Sequence, residues 1–272
     1  MKKILAILLA LAMLFGLAAC SSGSSEPAAE SASVIDEIKA AGKLTVGTSA
    51  DYPPYEFHTE IDGVDTIVGF DIAIAQAIAD DMGVELDIVD MSFDNLLMSL
   101  ANGEFDMVIA GMTSNEERLK AVDFSEPYMV SKNLILVKSE NADKYKTMDD
   151  LKGAKGGAQT GSIPYQRCVE YCGEESSVGL AKVQDLVMEL QAGKLDLIFL
   201  DYMTVLTYAA VNDDLEAVDV NIPTTDSGYC IAVEKGNTEL AEYINGVLAK
   251  LAESNAIEEF VVEAQQQAGM EE

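Results

Sequence analysis

Arg118 is the residue of this chain with the most chemistry in its surroundings. The stretch 105–128, FDMVIAGMTSNEERLKAVDFSEPY, opens with an apolar run over 107–110 that is short enough to be a buried strand. Beyond Ala110 the run stops at Gly111, where backbone can approach a ligand with no Cβ in the way. Thr113 and Ser114 follow, and Ser114 with Glu117 has the form of a capping box, which predicts a short helix starting there. The first turn of a helix presents unpaired N–H groups and a positive dipole end, and both favour an anion. Arg118 adds a planar, two-pronged donor suited to a carboxylate. Together these residues have the form of a carboxylate seat. Read alone, the stretch fits equally well a surface helix whose Arg118 pairs with Glu116 or Asp123.

Composition narrows the choice. The 272 residues leave room for one large domain or two lobes with their own cores. A formal charge of −30, from 17 basic and 47 acidic residues, repels nucleic acid and anionic headgroups, so no nucleic-acid partner is expected. The single histidine, His58, lies in a polar segment expected to be a solvated loop. One histidine and no CxxC spacing argue against Ser-His or Cys-His catalysis and against a multi-histidine metal site. No metal and no cofactor are expected.

The N-terminus reads as a targeting segment. Lys2 and Lys3 precede an apolar stretch over 4–17, too short for a spanning helix, and the stretch closes on Leu17-Ala18-Ala19-Cys20. That ending resembles the bacterial lipobox, in which the cysteine is lipid-modified; an ordinary signal peptide is the alternative, and both export the protein. Residues 1–20 are therefore read as a lipoprotein signal peptide with Cys20 as the lipidation site, and 21–33 as a flexible tether. Such a chain is expected to be extracytoplasmic and held at the cell membrane by its lipid anchor. Cys168, Cys172 and Cys230 are expected to be small buried thiols, with pairing between two of them left open.

The elements that position Arg118 follow in order. A helix is expected over 34–41, a strand over 44–48, a rigid loop over 49–55, a helix over 69–82 closed by Gly83, and a strand over 84–89. A helix over 93–101 and the 107–110 strand come next, and this alternation predicts an α/β architecture with a mainly parallel sheet. Further on, 133–137 reads as a strand, 147–153 as a short helix, and Gly161-Ser162 as the cap of a helix entered at Ile163-Pro164. A final strand over 228–233 precedes helices over 238–252 and 256–265.

The second half repeats a unit of the first. FDNLLMSLANGEFDMVIAG (93–111) set against VQDLVMELQAGKLDLIFLD (183–201) repeats Leu96, Met98, Leu100, Gly103 and Asp106 as Leu186, Met188, Leu190, Gly193 and Asp196. Each unit is helix, glycine stop, acid, buried strand. Ligands of open α/β sheets sit beyond the carboxyl ends of strands, here Ala110-Gly111 and Leu200-Asp201. Asp201, directly after LDLIFL, is the complement for an ammonium group; it is equally a helix N-cap for 202–210, and a carboxylate has acceptor sites for both.

The order of the YPPYEF-type loop, VGFDIAIAQAIA, FDNLLMSL, FDMVIAGMTSNEER, FSEPY, LKG, QTGS and LDLIFLD resembles the family 3 solute-binding proteins of amino-acid ABC transporters, over about residues 43–265. The resemblance implies a two-lobe, type II periplasmic-binding-protein-like fold. Lobe 1 would be 34–130 and 228–272, lobe 2 131–227, with a two-strand hinge near 130–132 and 223–227 and a ligand cleft between the lobes. It implies that Arg118 holds a ligand α-carboxylate with Thr113 and the backbone at Ala110 and Gly111, and that Asp201 takes the α-ammonium. Gln159, Gly161, Ser162 and Ile163 would close over the carboxylate, and Tyr52 and Phe93 would flank the ligand side chain. Relatives specific for cationic amino acids often carry an acid where this chain has Ser49; Asp51 and Glu56 are the acids nearby.

The function implied is capture of a free amino acid by lobe closure and delivery to an ABC permease, by a monomer without catalytic residues. Two alternatives remain on the same scaffold: an enzyme of the cyclohexadienyl or arogenate dehydratase kind, and a sensory amino-acid receptor.

Overall fold

The computed structural model describes residues 33–130, 132–223 and 228–270. The signal peptide, Cys20, all but the end of the tether, and the hinge residues 131 and 224–227 lie outside the described residues. Among the described residues no helix is long and apolar enough to cross a membrane.

Helix α1 (Val34–Ala41) buries Ile38 and leads into β1 (Lys43–Thr48) and the two-residue β2 (Asp51–Tyr52). A hairpin, β3 (Glu56–Ile61) and β4 (Val64–Val68), turns on Asp62-Gly63, both with positive φ (53° and 80°), the backbone that an Asp-Gly turn supplies. His58, expected in a solvated loop, is exposed as expected but lies on β3, between Asp65 (2.9 Å) and Asp90 (3.4 Å). Helix α2 (Phe70–Met82) buries Phe70, Ile74 and Ile78 and ends on a left-handed Gly83. β5 (Glu85–Asp90), α3 (Leu96–Ala101), β6 (Met107–Val108) and β7 (Val122–Phe124) follow.

A second set begins with β8 (Asn133–Lys138), β9 (Gly156–Gln159), α4 (Ile163–Cys172) and β10 (Ser177–Leu180). It continues with α5 (Val183–Gln191), β11 (Leu197–Asp201), α6 (Tyr202–Val211) and β12 (Leu215–Val218). The chain closes with β13 (Ala232–Glu234), α7 (Thr238–Glu253) and α8 (Ala256–Gln267).

Two five-stranded sheets result, ordered β5-β1-β6-β13-β7 and β10-β9-β11-β8-β12, beside the small β2-β3-β4 sheet. Each large sheet is parallel on one side only. β5, β1 and β6 run parallel, as do β10, β9 and β11; β13 and β8 run against their neighbours. The expected mainly parallel sheet is corrected accordingly, because strands arriving from the other half of the chain need no crossover helix and can enter in the opposite sense.

Residues alternate across both central strands. Met107 and Ile109 join the cluster with α2 and α7, while Val108 and Ala110 join the one with Phe93, Leu96 and Leu100. In β11, Ile198 and Leu200 face one cluster and Leu197 and Phe199 the other, so each sheet is buried on both faces.

The repeated units have matching jobs. Asp106 accepts the Thr45 N–H (2.7 Å) beside β1, and Asp196 accepts the Lys155 N–H (2.8 Å) beside β9. The preceding stops, Gly103 and Gly193, have φ of 74° and 70°. Cys168, Cys172 and Cys230 are buried free thiols. The first two crowd Gly156, where an added Cβ would lie 2.5 Å from the Cys168 Sγ, so α4 packs close on β9.

Candidate functional site

Beyond β6 the chain stays buried through Ile109 and Ala110 and turns at Gly111, whose φ of 50° suits glycine. The Gly111 N–H donates to Asp71 Oδ2 (2.8 Å), and a Cβ added there would meet the rings of Tyr55 and Tyr52 at 3.5 and 3.8 Å. Thr113 forms an antiparallel bridge with Tyr229.

The helix expected after Ser114 is instead a single 3-10 turn, Arg118–Lys120, with no capping box. Asn115 supplies the cap: its Oδ1 accepts the Arg118 N–H at 2.8 Å, a short-range side-chain bond that competes with helix continuation. The anion seat therefore has a guanidinium and no helix dipole. Arg118 Nη1 donates to the Thr113 carbonyl (2.6 Å) and Nη2 to the Gly161 carbonyl (3.1 Å), with the guanidinium carbon 5.4 Å from the Phe93 ring centroid. Two of five donors are used, and the group is fixed in orientation. Burial pushes its pKa down to about 10, so it stays charged at neutral pH.

The facing wall comes from the second sheet. Ser162 Oγ donates to the Gln159 carbonyl (2.6 Å) and accepts the Tyr165 N–H (3.1 Å), capping α4 as expected, with Pro164 in the first turn. This first turn opens on a narrow cavity. One side of the cavity is Tyr52, Phe93, Ala110, Gly111, Thr113 and Arg118; the other is Gln159, Ser162, Ile163 and Pro164. Asn133, Phe199, Leu200 and Tyr229 complete it.

Most of the candidate residues thus meet on one cavity, and Gly161 joins through its carbonyl on Arg118. Three stand elsewhere. Ser49 and Asp51 border a separate recess with His58, Asp90 and Lys182. The Asp51 carboxylate is buried and accepts Val183 N–H (2.7 Å), Gln159 Nε2 (3.0 Å) and Ser49 Oγ (3.2 Å).

Asp201 is fully buried behind the wall that Leu200 and Tyr229 form. Its Oδ1 accepts the Tyr55 hydroxyl and the Met203 N–H (3.0 Å); its Oδ2 accepts the Tyr229 hydroxyl (2.6 Å) and the Lys132 N–H (3.4 Å). The Asp201 N–H donates to Tyr52 Oη (2.7 Å). Asp201 caps α6, one of its two expected roles, and its acceptor sites are occupied.

Sequence reasoning missed Asn133, Pro164, Phe199, Leu200 and Tyr229. Leu200 and Pro164 adjoin residues it chose, a signal available along the chain; Asn133 and Tyr229 come from distant segments that only folding brings near.

The acids behind the cavity share one condition. Burial raises Asp201, Asp71 and Asp51 each to about 6, tempered by their hydrogen bonds. Burial, then the nearby Asp71 charge, pushes the Glu56 carboxyl well above its ordinary value. Among the described residues no lysine or arginine forms a salt bridge to any of these four carboxyl groups.

A model of the bacterial extracellular solute-binding proteins, family 3, matches residues 44–263. The chain is 33% identical over 261 residues to the arginine-binding extracellular protein ArtP of Bacillus subtilis (strain 168), covering 95% of this chain and 96% of that one. It is 31% identical over 229 residues to the L-cystine-binding protein TcyJ of Escherichia coli (strain K12), covering 83% of each. Among solved structures it is similar to an amino acid ABC transporter substrate-binding protein of Streptococcus pneumoniae bound to L-arginine. That similarity has a TM-score of 0.83 and 37% identity, over 86% of this chain and 98% of that one.

Proposed function

The chain belongs to family 3 of the bacterial extracellular solute-binding proteins, and from that premise we propose that it captures a free amino acid between two lobes and delivers it to an ABC permease. The observation that carries this reading is the Arg118 guanidinium. It is oriented on the cavity by Thr113 and Phe93, touches the opposite wall at Gly161, and keeps donors for a carboxylate. Tyr52 and Phe93 flank the remaining space, and Ser162 and Ile163 close it from the second sheet. Lobe 1 is proposed as 34–130 and 228–272, and lobe 2 as 131–227, with closure driven by contacts the ligand completes only when the lobes meet. The protein is proposed to be exported and anchored through Cys20, acting as a monomer without chemical turnover.

The buried acids Asp51, Asp71 and Asp201 favour a ligand of net positive charge over an acidic one, because among the described residues Arg118 is the only basic one on the cavity wall. The reported relatives named for arginine fit that preference. A thermal-shift screen of the protein against the standard amino acids tests the reading, since a ligand that binds only the native state raises Tm with concentration. Arginine or lysine should give a larger rise than glutamate. A flat response to every amino acid would remove the proposal.

A further inference from the structure

Asp51 does no work in the cavity, yet it is buried at the boundary between the two halves of the chain. It belongs to β2 in the N-terminal half, and its strongest partner is the Val183 N–H, 2.7 Å away, in the first turn of α5. That helix has no cap of its own: Lys182, at its N-cap position, makes no side-chain capping bond. An acidic side chain at a helix N-terminus satisfies an orphan N–H and meets the positive end of the dipole. Here the cap is supplied from across the cleft.

The same carboxylate holds Gln159 Nε2 at 3.0 and 3.3 Å, and the amide also donates to the Ala181 carbonyl at 3.2 Å. Gln159 in turn lines the cavity and its carbonyl anchors the Ser162 hydroxyl. We propose that Asp51 is a positioning residue for ligand capture, capping α5 and fixing Gln159 from the opposite lobe so that the closed arrangement holds over a ligand Asp51 does not touch. The inference rests on the amino-acid-binding reading of the cavity and adds the residue that sets how long the lobes stay shut.

These contacts stabilise the closed arrangement with or without a ligand, so their loss acts on release and on how far apart the ligand-free lobes rest. In Asp51→Ala the amino acid should dissociate about tenfold faster, with the association rate and the order of preference among amino acids unchanged. Asp51→Asn, which keeps one acceptor oxygen, should recover part of the loss. Val183→Pro removes the other partner's N–H at the first helical position, where proline is tolerated, and Lys182 already has the extended backbone (φ −113°, ψ 135°) that proline demands before it. This variant should also speed release, and combining it with Asp51→Ala should add little further.

The experiment is stopped-flow binding on the mature protein and these variants, with small-angle X-ray scattering of each in the absence and presence of arginine. Wild-type release from Asp51→Ala, or additive effects in the double variant, would overturn the assignment, as would a changed preference among amino acids. If no amino acid binds the wild type, the function proposed above fails. The scattering of the ligand-free proteins then decides the inference alone: a larger radius of gyration in Asp51→Ala supports it, and an identical one overturns it.

Discussion

The two repeated units, 93–111 and 183–201, agree in helix, glycine stop, acid and buried strand, and part only at their last residues. β6 runs out into Ala110-Gly111, a bare backbone turn that leaves room for the Arg118 guanidinium on the cavity wall. β11 runs out into Leu200-Asp201, where Leu200 takes the wall and Asp201 withdraws behind it into hydrogen bonds from Tyr55, Tyr229, Met203 and Lys132. The same grammar thus ends once in an open donor and once in a satisfied acceptor. A charged residue on a strand end is identified by its type, but whether it meets a ligand depends on who else reaches it first.

The sharpest way to break this contrast is at the satisfied end. Asp201→Ala leaves the Tyr55 and Tyr229 hydroxyls buried without their acceptor and uncaps α6, a loss of about 4 kcal/mol, or roughly 10 °C in Tm without ligand. If thermal unfolding followed by circular dichroism shows no change, Asp201 is not the anchor its bonds imply. Arg118→Ala should do the reverse. Ligand affinity by calorimetry should fall about a hundredfold, through two lost charge-assisted bonds, while ligand-free Tm changes little. Arg118→Lys should recover only part, because an ammonium cannot offer the planar fork.

A smaller effect sharpens the comparison within the Asp201 site. Tyr229→Phe removes one hydroxyl donor at 2.6 Å and leaves the remaining three, so Tm should drop by about 5 °C, less than for Asp201→Ala. A drop as large as that of Asp201→Ala would mean the tyrosine ring and its bridge to Thr113 carry the stability instead.

The smallest expected effect is the response to pH. Asp71 and Asp201 titrate near 6 in the folded protein, above the ordinary carboxylate value of about 3.9. The folded state therefore takes up protons on falling pH before the unfolded chain does. The stability tied to these groups is fully present below about 4 and is lost as pH rises through 6. Self-repulsion from the net charge of −30 acts in the same direction. Tm without ligand should be a few degrees higher at pH 5 than at pH 8, and a bound cationic ligand should flatten the slope by favouring the ionised acids. A slope of opposite sign would show that hydrogen bonds outweigh burial at these carboxylates.

Much of this was readable along the chain. The periodic helices over 70–82 and 183–191, the Ser162-Pro164 helix start, the Asp201 cap and the repeated unit follow from local rules of spacing and capping. The β3–β4 hairpin was missed although Asp62-Gly63 signals it, because its outward residues are polar and give no buried run. The helix expected at Ser114 failed because Asn115 offers its side chain to the backbone first.

The sequence alone determined which strands would be buried, where helices begin and stop, and that an arginine and an aspartate follow two equivalent strands; each depends on residues within a turn or two of one another. Only the tertiary structure decided that Arg118 faces the cavity, that Asp201 is held behind it by three tyrosines from two distant segments, and that Asp51 caps a helix 132 residues away. Those outcomes turn on competition among donors for a few buried carboxylate oxygens, and the competitors are neighbours only once the chain has folded.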